Sequence, residues 1–254
     1  MKTAFLITAR LKSTRLPKKV MLKIMDKPLI VYMIDRIKHA KHINKIIICT
    51  STNSQDDPLE EVALAEKIHC FRGSENDVLQ RLLEAAKKYE LDYFANITAD
   101  APMIDPILIG QTIEEYKKVG ADLIVPTEGT VGGCMVVKVS ALEKVCEKKK
   151  EVDTEVWVRF FKDNHHLNVH TCQIEERYKH ESLKTSLDYP EDFKFIKKIF
   201  SELYNPNRPF SSIDLIDLVK KRPDILAINS NPLLLKRWKD HIDSLPKDKL
   251  ESQK

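Results

Sequence analysis

The residues that could do chemistry together fall into a cationic run and a few isolated acids. From Lys2 to Lys27 the chain carries eight cations (Lys2, Arg10, Lys12, Arg15, Lys18, Lys19, Lys23 and Lys27) against one acid, Asp26. Arg forks match phosphate oxygens in pairs and Lys supplies point charge, so this stretch suits a polyanion. Asp100 stands in Asn96-Ile-Thr-Ala-Asp-Ala-Pro-Met-Ile-Asp105-Pro, and Asp188 in Ser186-Leu-Asp-Tyr-Pro-Glu-Asp-Phe193. An aspartate near a cationic loop suits Mg²⁺ bridging to triphosphate oxygens. A lone carboxylate holds that ion poorly, so Asp188 is the candidate to converge with Asp100. The competing reading is that both acids belong to helix starts, since Asp105 precedes Pro106 and Asp188 precedes Tyr-Pro-Glu. Gly73-Ser-Glu-Asn-Asp77 also has two readings. It either opens a helix capped by Asn76 or Ser74, with Asp77 in the first turn, or turns polar groups to a base or ribose.

These groups need elements to position them. Ala4–Thr8 is a short apolar run that reads as a strand emptying into the cationic stretch. Ligands in open α/β sheets bind beyond the carboxyl ends of strands, which is where that stretch begins. Pro28–His39 carries a helical stripe of Leu29, Ile30, Met33, Ile34 and Ile37. Strand signals at Lys45–Thr50, His69–Arg72, Tyr93–Thr98 and Asp122–Pro126 alternate with helical patterns at Asp57–Lys67, Asn76–Tyr89 and Pro106–Val119. This order predicts an α/β protein: a parallel sheet with helices on both faces. After residue 126 the pattern changes. A loop at Gly129–Gly133 precedes a strand at Cys134–Val139, a helix at Ala141–Lys149, a helical or mixed stretch at Glu155–Asp163 and a strand at Asn168–Ile174. This middle section is expected to form a second lobe or a sheet extension. Helices at Asp188–Leu203 and Ser212–Lys221 follow, then a polar tail from Pro246.

Composition narrows the function classes. The 254 residues are 43% apolar, enough for a real core, and the net charge is only +4. Positive charge gathered at one end favours a local phosphate site over a nucleic-acid face; Lys148-Lys149-Lys150 reads as a solvated surface. No apolar run is long enough to cross a membrane and no signal peptide is visible, so a cytoplasmic protein is expected. The five cysteines lack C-x-x-C spacing and read as reduced thiols. His165, His166 and His170 read as ordinary surface or core residues, and Trp157 and Trp238 as packing residues. No P-loop and no G-x-S-x-G elbow is present.

The string Thr8-Ala-Arg10-Leu-Lys-Ser13-Thr-Arg15-Leu-Pro17-Lys-Lys19 resembles the signature of the sugar cytidylyltransferases, the group of CMP-Kdo and CMP-sialic acid synthetases. The nearest branch is that of the spore coat polysaccharide biosynthesis protein F. The resemblance continues, in order, through Thr50–Leu59, Gly73–Arg81, Ile97–Pro106, Leu187–Phe193 and Phe210–Ile216. It implies the nucleotide-diphospho-sugar transferase fold, with a Rossmann-like mixed, mainly parallel sheet. It implies a Mg²⁺-dependent enzyme joining CTP (or another NTP) to a sugar or sugar acid with loss of pyrophosphate, for surface polysaccharide or glycan synthesis. Arg10, Ser13, Arg15 and Lys19 would hold the triphosphate, Asp100 and Asp188 the metal, and Thr8, Ala9, Ser74 and Asp77 the base and ribose. A homodimer is implied as well. Residues 1–230 would form a single nucleotidyltransferase domain, with 126–185 as its sugar-binding and dimerisation lobe. Residues 231–254 would add a C-terminal helix and polar tail.

Four departures stand out, one of them Ala99-Asp100-Ala101-Pro102 in place of the usual Gly-Asp-Cys-Pro. Lys18 replaces the usual Gly of Leu-Pro-Gly-Lys. Gly132-Gly-Cys134-Met-Val136 and Glu155-Val-Trp157-Val-Arg159 occupy positions that the resemblance turns toward the sugar, with reduced polarity. A nucleotide-binding module with impaired catalysis is therefore the alternative expectation, and a nucleic-acid-binding domain is a more distant one.

Overall fold

The computed structural model describes residues 1–230 together with 233, 234, 236 and 240. The C-terminal helix and polar tail expected over 231–254, Trp238 included, otherwise lie outside the described residues. Strand β1 (Thr3–Thr8) leads through a short hairpin, β2 (Lys23–Ile24) and β3 (Lys27–Pro28), into α1 (Leu29–Lys38). Then come β4 (Ile46–Ser51), α2 (Asp57–Ala65), β5 (His69–Gly73), α3 (Val78–Lys88), β6 (Tyr93–Thr98) and α4 (Pro106–Val119). The middle section supplies β7 (Leu123–Pro126), β8 (Met135–Lys138), α5 (Val139–Lys148), α6 (Arg159–Lys162) and β9 (Val169–Cys172). Helices α7 (Pro190–Leu203), α8 (Ser212–Lys221) and α9 (Pro223–Leu226) follow.

Seven strands make one sheet in the order β5-β4-β1-β6-β8-β7-β9. Every pairing is parallel except those of β8, which runs against both β6 and β7. The sheet is thus mixed and mainly parallel, and the middle section extends it. Alternation along β1 shows why both faces are covered. Phe5 and Ile7 point into a core shared with α1, α2 and α4. Ala4 and Leu6 point into the opposite core, with α3, α5 and α6. Buried on both faces, β1 and β4 read as continuous apolar runs, as parallel strands do. A third cluster packs α7, α8 and α9 against Leu29, Tyr32 and Ile24. The mixed stretch at Glu155–Asp163 forms only one helical turn, α6, and Trp157 and Phe161 pack edge to face in the core there.

The topology creates the site. From β1 the chain steps outward to β4 and β5, then returns as β6 on the other side of β1. Crossovers that leave in opposite directions open a crevice at the carboxyl ends of β1 and β6. Thr8 and Thr98 pair there, and Ala99 N–H donates to the Thr8 carbonyl at 2.9 Å.

Buried polar anchors hold the loops that leave this crevice. Asp56, fully buried, accepts Leu11 N–H at 2.7 Å and the Ser51 hydroxyl at 2.5 Å, pinning the cationic loop to the end of β4. Asp105, also fully buried, caps α4 through Ile107 N–H and accepts Ser212 N–H at 2.6 Å. Gly132 packs against that junction at φ +74, where a Cβ would meet Ser212 Oγ at 2.7 Å and the Met103 carbonyl at 2.9 Å. Asp56→Ala leaves a buried N–H and a hydroxyl unmatched. It is expected to cost about 2–4 kcal/mol in denaturant unfolding, in keeping with bonds to a charged acceptor. A loss under about 0.5 kcal/mol would show that Asp56 does not anchor the loop.

Candidate active site

The cationic loop, the end of β6 and the start of α7 meet at one ammonium. Lys19 Nζ lies 2.7 Å from Asp100 Oδ2 and 3.2 Å from Asp188 Oδ1. Arg15 Nη2 joins Asp188 Oδ1 at 3.1 Å, with its guanidinium 5.6 Å from the Tyr189 ring centre. The second oxygen of each carboxylate is tied to its own segment. Thr98 Oγ1 donates to Asp100 Oδ1 at 2.5 Å. Ser186 Oγ and Lys184 Nζ reach Asp188 Oδ2 at 3.1 and 3.2 Å. Leu187 N–H donates to the Asp100 carbonyl at 2.8 Å, fastening the two acidic segments by backbone.

This geometry decides the capping question. Asp105 caps α4, leaving Asp100 for Lys19. At α7 the cap is Tyr189, with the Asp192 carboxylate accepting Asp188 N–H at 2.9 Å and Tyr189 N–H at 2.8 Å. Asp188 is left to its cations. Asp77 takes the other course: its carboxylate caps α3 through Gln80 N–H, accepts the Thr154 hydroxyl and pairs with Lys149. Ser74 Oγ accepts Asp77 N–H at 3.1 Å in the same turn. Lys149 therefore corrects the reading of Lys148–Lys150 as a wholly solvated face, since its side chain turns inward to Asp77.

The electrostatics follow from burial and charge. Burial alone would raise the Asp188 carboxyl, but Lys19 and Lys184 outweigh it and hold the acid well below the usual carboxylate range. Burial works against the Lys19 ammonium, yet Asp100 and Asp188 raise its pKa above the ordinary value. Asp188 and Lys19 are both charged at neutral pH.

The other expected residues lie around this centre. Arg10 is turned away from the carboxylates: its Nη1 donates to the Glu75 carbonyl at 2.7 Å, and Nη2 lies 3.6 Å from Glu155. Ser13 Oγ accepts Leu16 N–H at 3.3 Å and closes a loop turn. Thr8 Oγ1 accepts from Asn96 Nδ2 at 3.0 Å, and Ala9 is buried beside it. Cys134 is no nucleophile, because burial pushes its thiol up to about 12. His170 pairs with Glu115 at 3.0 Å. Val136 and Trp157, expected to turn toward a sugar, are instead buried in the core at 0% and 3% exposure. Their apolar character serves packing, which removes the ground for reading them as lost acceptor contacts.

Several site residues escaped the sequence reading. Lys184 is buried and joins Asp188 to Asp192, while Asn229 Nδ2 donates to Asp192 Oδ1 at 3.1 Å. Arg36 ties the Asp100 segment to the 210 region by donating to the Ile104 and Phe210 carbonyls, each at 2.7 Å. A usable signal existed only for Arg36, a charge beside the apolar stripe of α1.

Among the described residues no three His, Cys, Asp or Glu side chains gather as a metal site. Asp100 and Asp188 nevertheless fit Mg²⁺: they offer hard oxygens only, and such sites often use one or two carboxylates with substrate phosphates and water. One oxygen from each already converges on a positive charge.

Lys18 has φ 51 and ψ 31, the left-handed region. The turn is thus kept with a side chain in a conformation that costs a non-glycine residue about 1–2 kcal/mol. Lys18→Gly is expected to leave stability unchanged or raise it by up to about 1 kcal/mol, since the backbone strain that glycine relieves is partly offset by its larger loss of chain entropy on folding. Lys18→Val should destabilise; equal melting of the two variants would contradict the strain. The Asp188 carboxyl titrates lower when folded, so its pairs stabilise above about pH 4 and are lost as pH falls through the folded value. Wild-type unfolding free energy should therefore drop more steeply with acid below about pH 4 than that of Asp188→Asn. Parallel slopes would exclude the pairing.

Comparison with known proteins matches this architecture. The chain is 32% identical to the uncharacterized protein MJ1063 of Methanocaldococcus jannaschii, over 91% of this chain and 96% of that one. It is 26% identical to the spore coat polysaccharide biosynthesis protein SpsF of Bacillus subtilis, over 87% and 95%. A solved cytidylyltransferase from Leptospira borgpetersenii superposes with a TM-score of 0.82 at 29% identity, covering 89% of this chain and 97% of that one. The cytidylyltransferase family model matches residues 4–238, and this chain, with its mixed sheet and its acid–lysine cluster beyond β1 and β6, belongs to that family of nucleotidyltransferases.

Proposed function

We propose that this protein transfers a cytidylyl group from CTP to a sugar or sugar acid, with Mg²⁺, and so activates the sugar for surface glycan synthesis. The observation that carries this reading is the convergence of Lys19 and Arg15 on Asp100 and Asp188 at the sheet's switch point. An acceptor oxygen attacks the α-phosphorus of CTP in line; a new P–O bond forms, and the bond to pyrophosphate breaks. Little covalent work falls to the protein in such transfers, which depend on positioning and neutralisation of charge.

Arg15 and Lys19 would take the triphosphate, and Arg10 with Ser13 would complete its cradle. Asp100 and Asp188 would hold Mg²⁺, which supplies charge neutralisation and Lewis acidity at the phosphates when bound. Thr98 and Lys184 keep those carboxylates aimed. Thr8 and Ala9, with the turn of Ser74 and Asp77, frame the base and ribose. Residues 126–185 are assigned the acceptor and a homodimer contact.

Calorimetric titration with CTP, GTP, UTP and ATP, each with and without Mg²⁺, tests the nucleotide half without knowledge of the acceptor. CTP should bind selectively and with metal dependence, and Asp100→Asn should lose that dependence. With an accepted sugar, Asp100→Asn and Asp188→Asn should each release pyrophosphate about 10³-fold more slowly or worse, with unfolding still cooperative. Absence of binding to all four nucleotides would overturn the proposal, and near-wild-type turnover of either variant would remove its metal role.

A further inference from the structure

We propose that Lys19 is a resident counter-ion that closes the cation position between Asp100 and Asp188, so that a divalent ion enters only once a triphosphate draws the ammonium away. This rests on the reading of that acid pair as the metal ligands. Each carboxylate keeps one oxygen for its own segment, Asp100 Oδ1 for Thr98 and Asp188 Oδ2 for Ser186 and Lys184. The remaining two oxygens, Asp100 Oδ2 and Asp188 Oδ1, both face Lys19 Nζ. The ammonium therefore marks the point where a metal would take one oxygen from each acid.

Two cations cannot share that point. Mg²⁺ binds oxygen at about 2.0–2.1 Å, so an ion on the same two oxygens would fall almost on the ammonium, and like charges that close repel strongly. Removing Lys19 without a replacement is no easier, because it strands a buried and a half-buried carboxylate against each other. The exchange therefore needs a second anion for the lysine.

Lys19 is built for such an exchange. It opens a short 3-10 turn, Lys19–Met21, directly after the exposed Lys18. A four-carbon stem lets the ammonium swing while the backbone stays. Arg15, also on Asp188 Oδ1, offers a second charge to the same incoming phosphates. Asp188 keeps Lys184 after Lys19 departs, so its outer oxygen stays aimed and its charge partly matched. Nucleotide and metal then favour each other's binding through this lysine, and the coupling is reciprocal.

The test uses Mn²⁺ alone, its unbound fraction read by electron paramagnetic resonance, on the wild type, Lys19→Gln and Lys19→Arg. Circular dichroism checks each fold. Without nucleotide, the wild type and Lys19→Arg should bind Mn²⁺ weakly, and Lys19→Gln at least about tenfold more tightly. A non-hydrolysable CTP analogue should raise the wild type's Mn²⁺ affinity at least about tenfold beyond that of the analogue in buffer. This second measurement decides the matter if Lys19→Gln does not fold. Tight Mn²⁺ binding by the wild type without nucleotide, or a folded Lys19→Gln that binds no more tightly, overturns the counter-ion role and leaves the metal reading standing. No Mn²⁺ binding by the wild type even with the analogue, or binding by Lys19→Gln that survives an added Asp100→Asn, overturns the metal reading itself.

Discussion

Everything about the site depends on holding two carboxylates close together in a place only partly open to water. Asp188 is buried and Asp100 half-buried, and burial alone would push the Asp188 carboxyl toward its neutral form. Lys19 between them and the buried Lys184 reverse that preference for Asp188 and keep it charged, with Arg15 joining the same oxygen. The rest of the structure answers to this constraint, because its three main contributors come from segments remote in the chain. A parallel sheet whose crossovers diverge brings the loop after β1 beside the end of β6. Helix α7 then has to begin at the same spot, and the bond from Leu187 N–H to the Asp100 carbonyl fixes where it does.

Charges placed this way need supports that do not move. Asp192 spends its own carboxylate on two backbone N–H groups at the start of α7 and on Lys184, so the residue next to the site, Tyr189, cannot drift. Arg36 is buried deeply enough that its pKa falls to about 10, yet its guanidinium still joins two carbonyls and stacks 4.2 Å from the Phe210 ring centre. A buried arginine that satisfies backbone carbonyls is a stiff strut: its planar fork loses little entropy per bond. Its two carbonyl partners lie on the segment behind Asp100 and on the approach to α8. Asp56 plays the equivalent part for the cationic loop. These groups touch no expected ligand, but the precision of the acid pair comes from them.

Much of this was legible in sequence, for a clear reason. Continuous apolar runs such as Ile46–Cys49 can be buried on both faces, and helices between them force parallel strands, so the α/β class followed from periodicity. Asp100 and Asp188 stood out because a cationic loop nearby gave them something to do. What periodicity could not show was which acid caps and which is spared. Asp77, Asp105 and Asp192 all sit near helix starts as Asp100 and Asp188 do, and only three-dimensional geometry separates the cappers from the pair that faces Lys19. Lys184 was invisible for the same reason: four residues before Asp188 means proximity only in a helix, and here it is achieved by a loop. Lys149 looked like part of a solvated run because its partner, Asp77, lies far back in the chain.

The departures from the family pattern take on a different meaning once they are placed. Lys18 adopts a left-handed turn that glycine would adopt more cheaply, and Lys19 beside it reaches the acids. Val136 lies in β8 between β6 and β7, and Trp157 packs edge to face with Phe161 beneath α3 and α5. An apolar side chain buried in a core carries no information about an acceptor that binds outside it. What discriminates acceptors must instead come from polar groups that border the crevice. Arg10 is one polar group in this region, spanning from the Glu75 carbonyl to Glu155. An anionic acceptor or a phosphate arriving there would compete with Glu155 for the guanidinium, and Arg81, whose guanidinium donates to the same Glu75 carbonyl, adds positive potential behind it. The two regions differ in make-up: Lys19 and Arg15 sit on an acid pair in one, and Arg10 and Arg81 share a backbone carbonyl in the other.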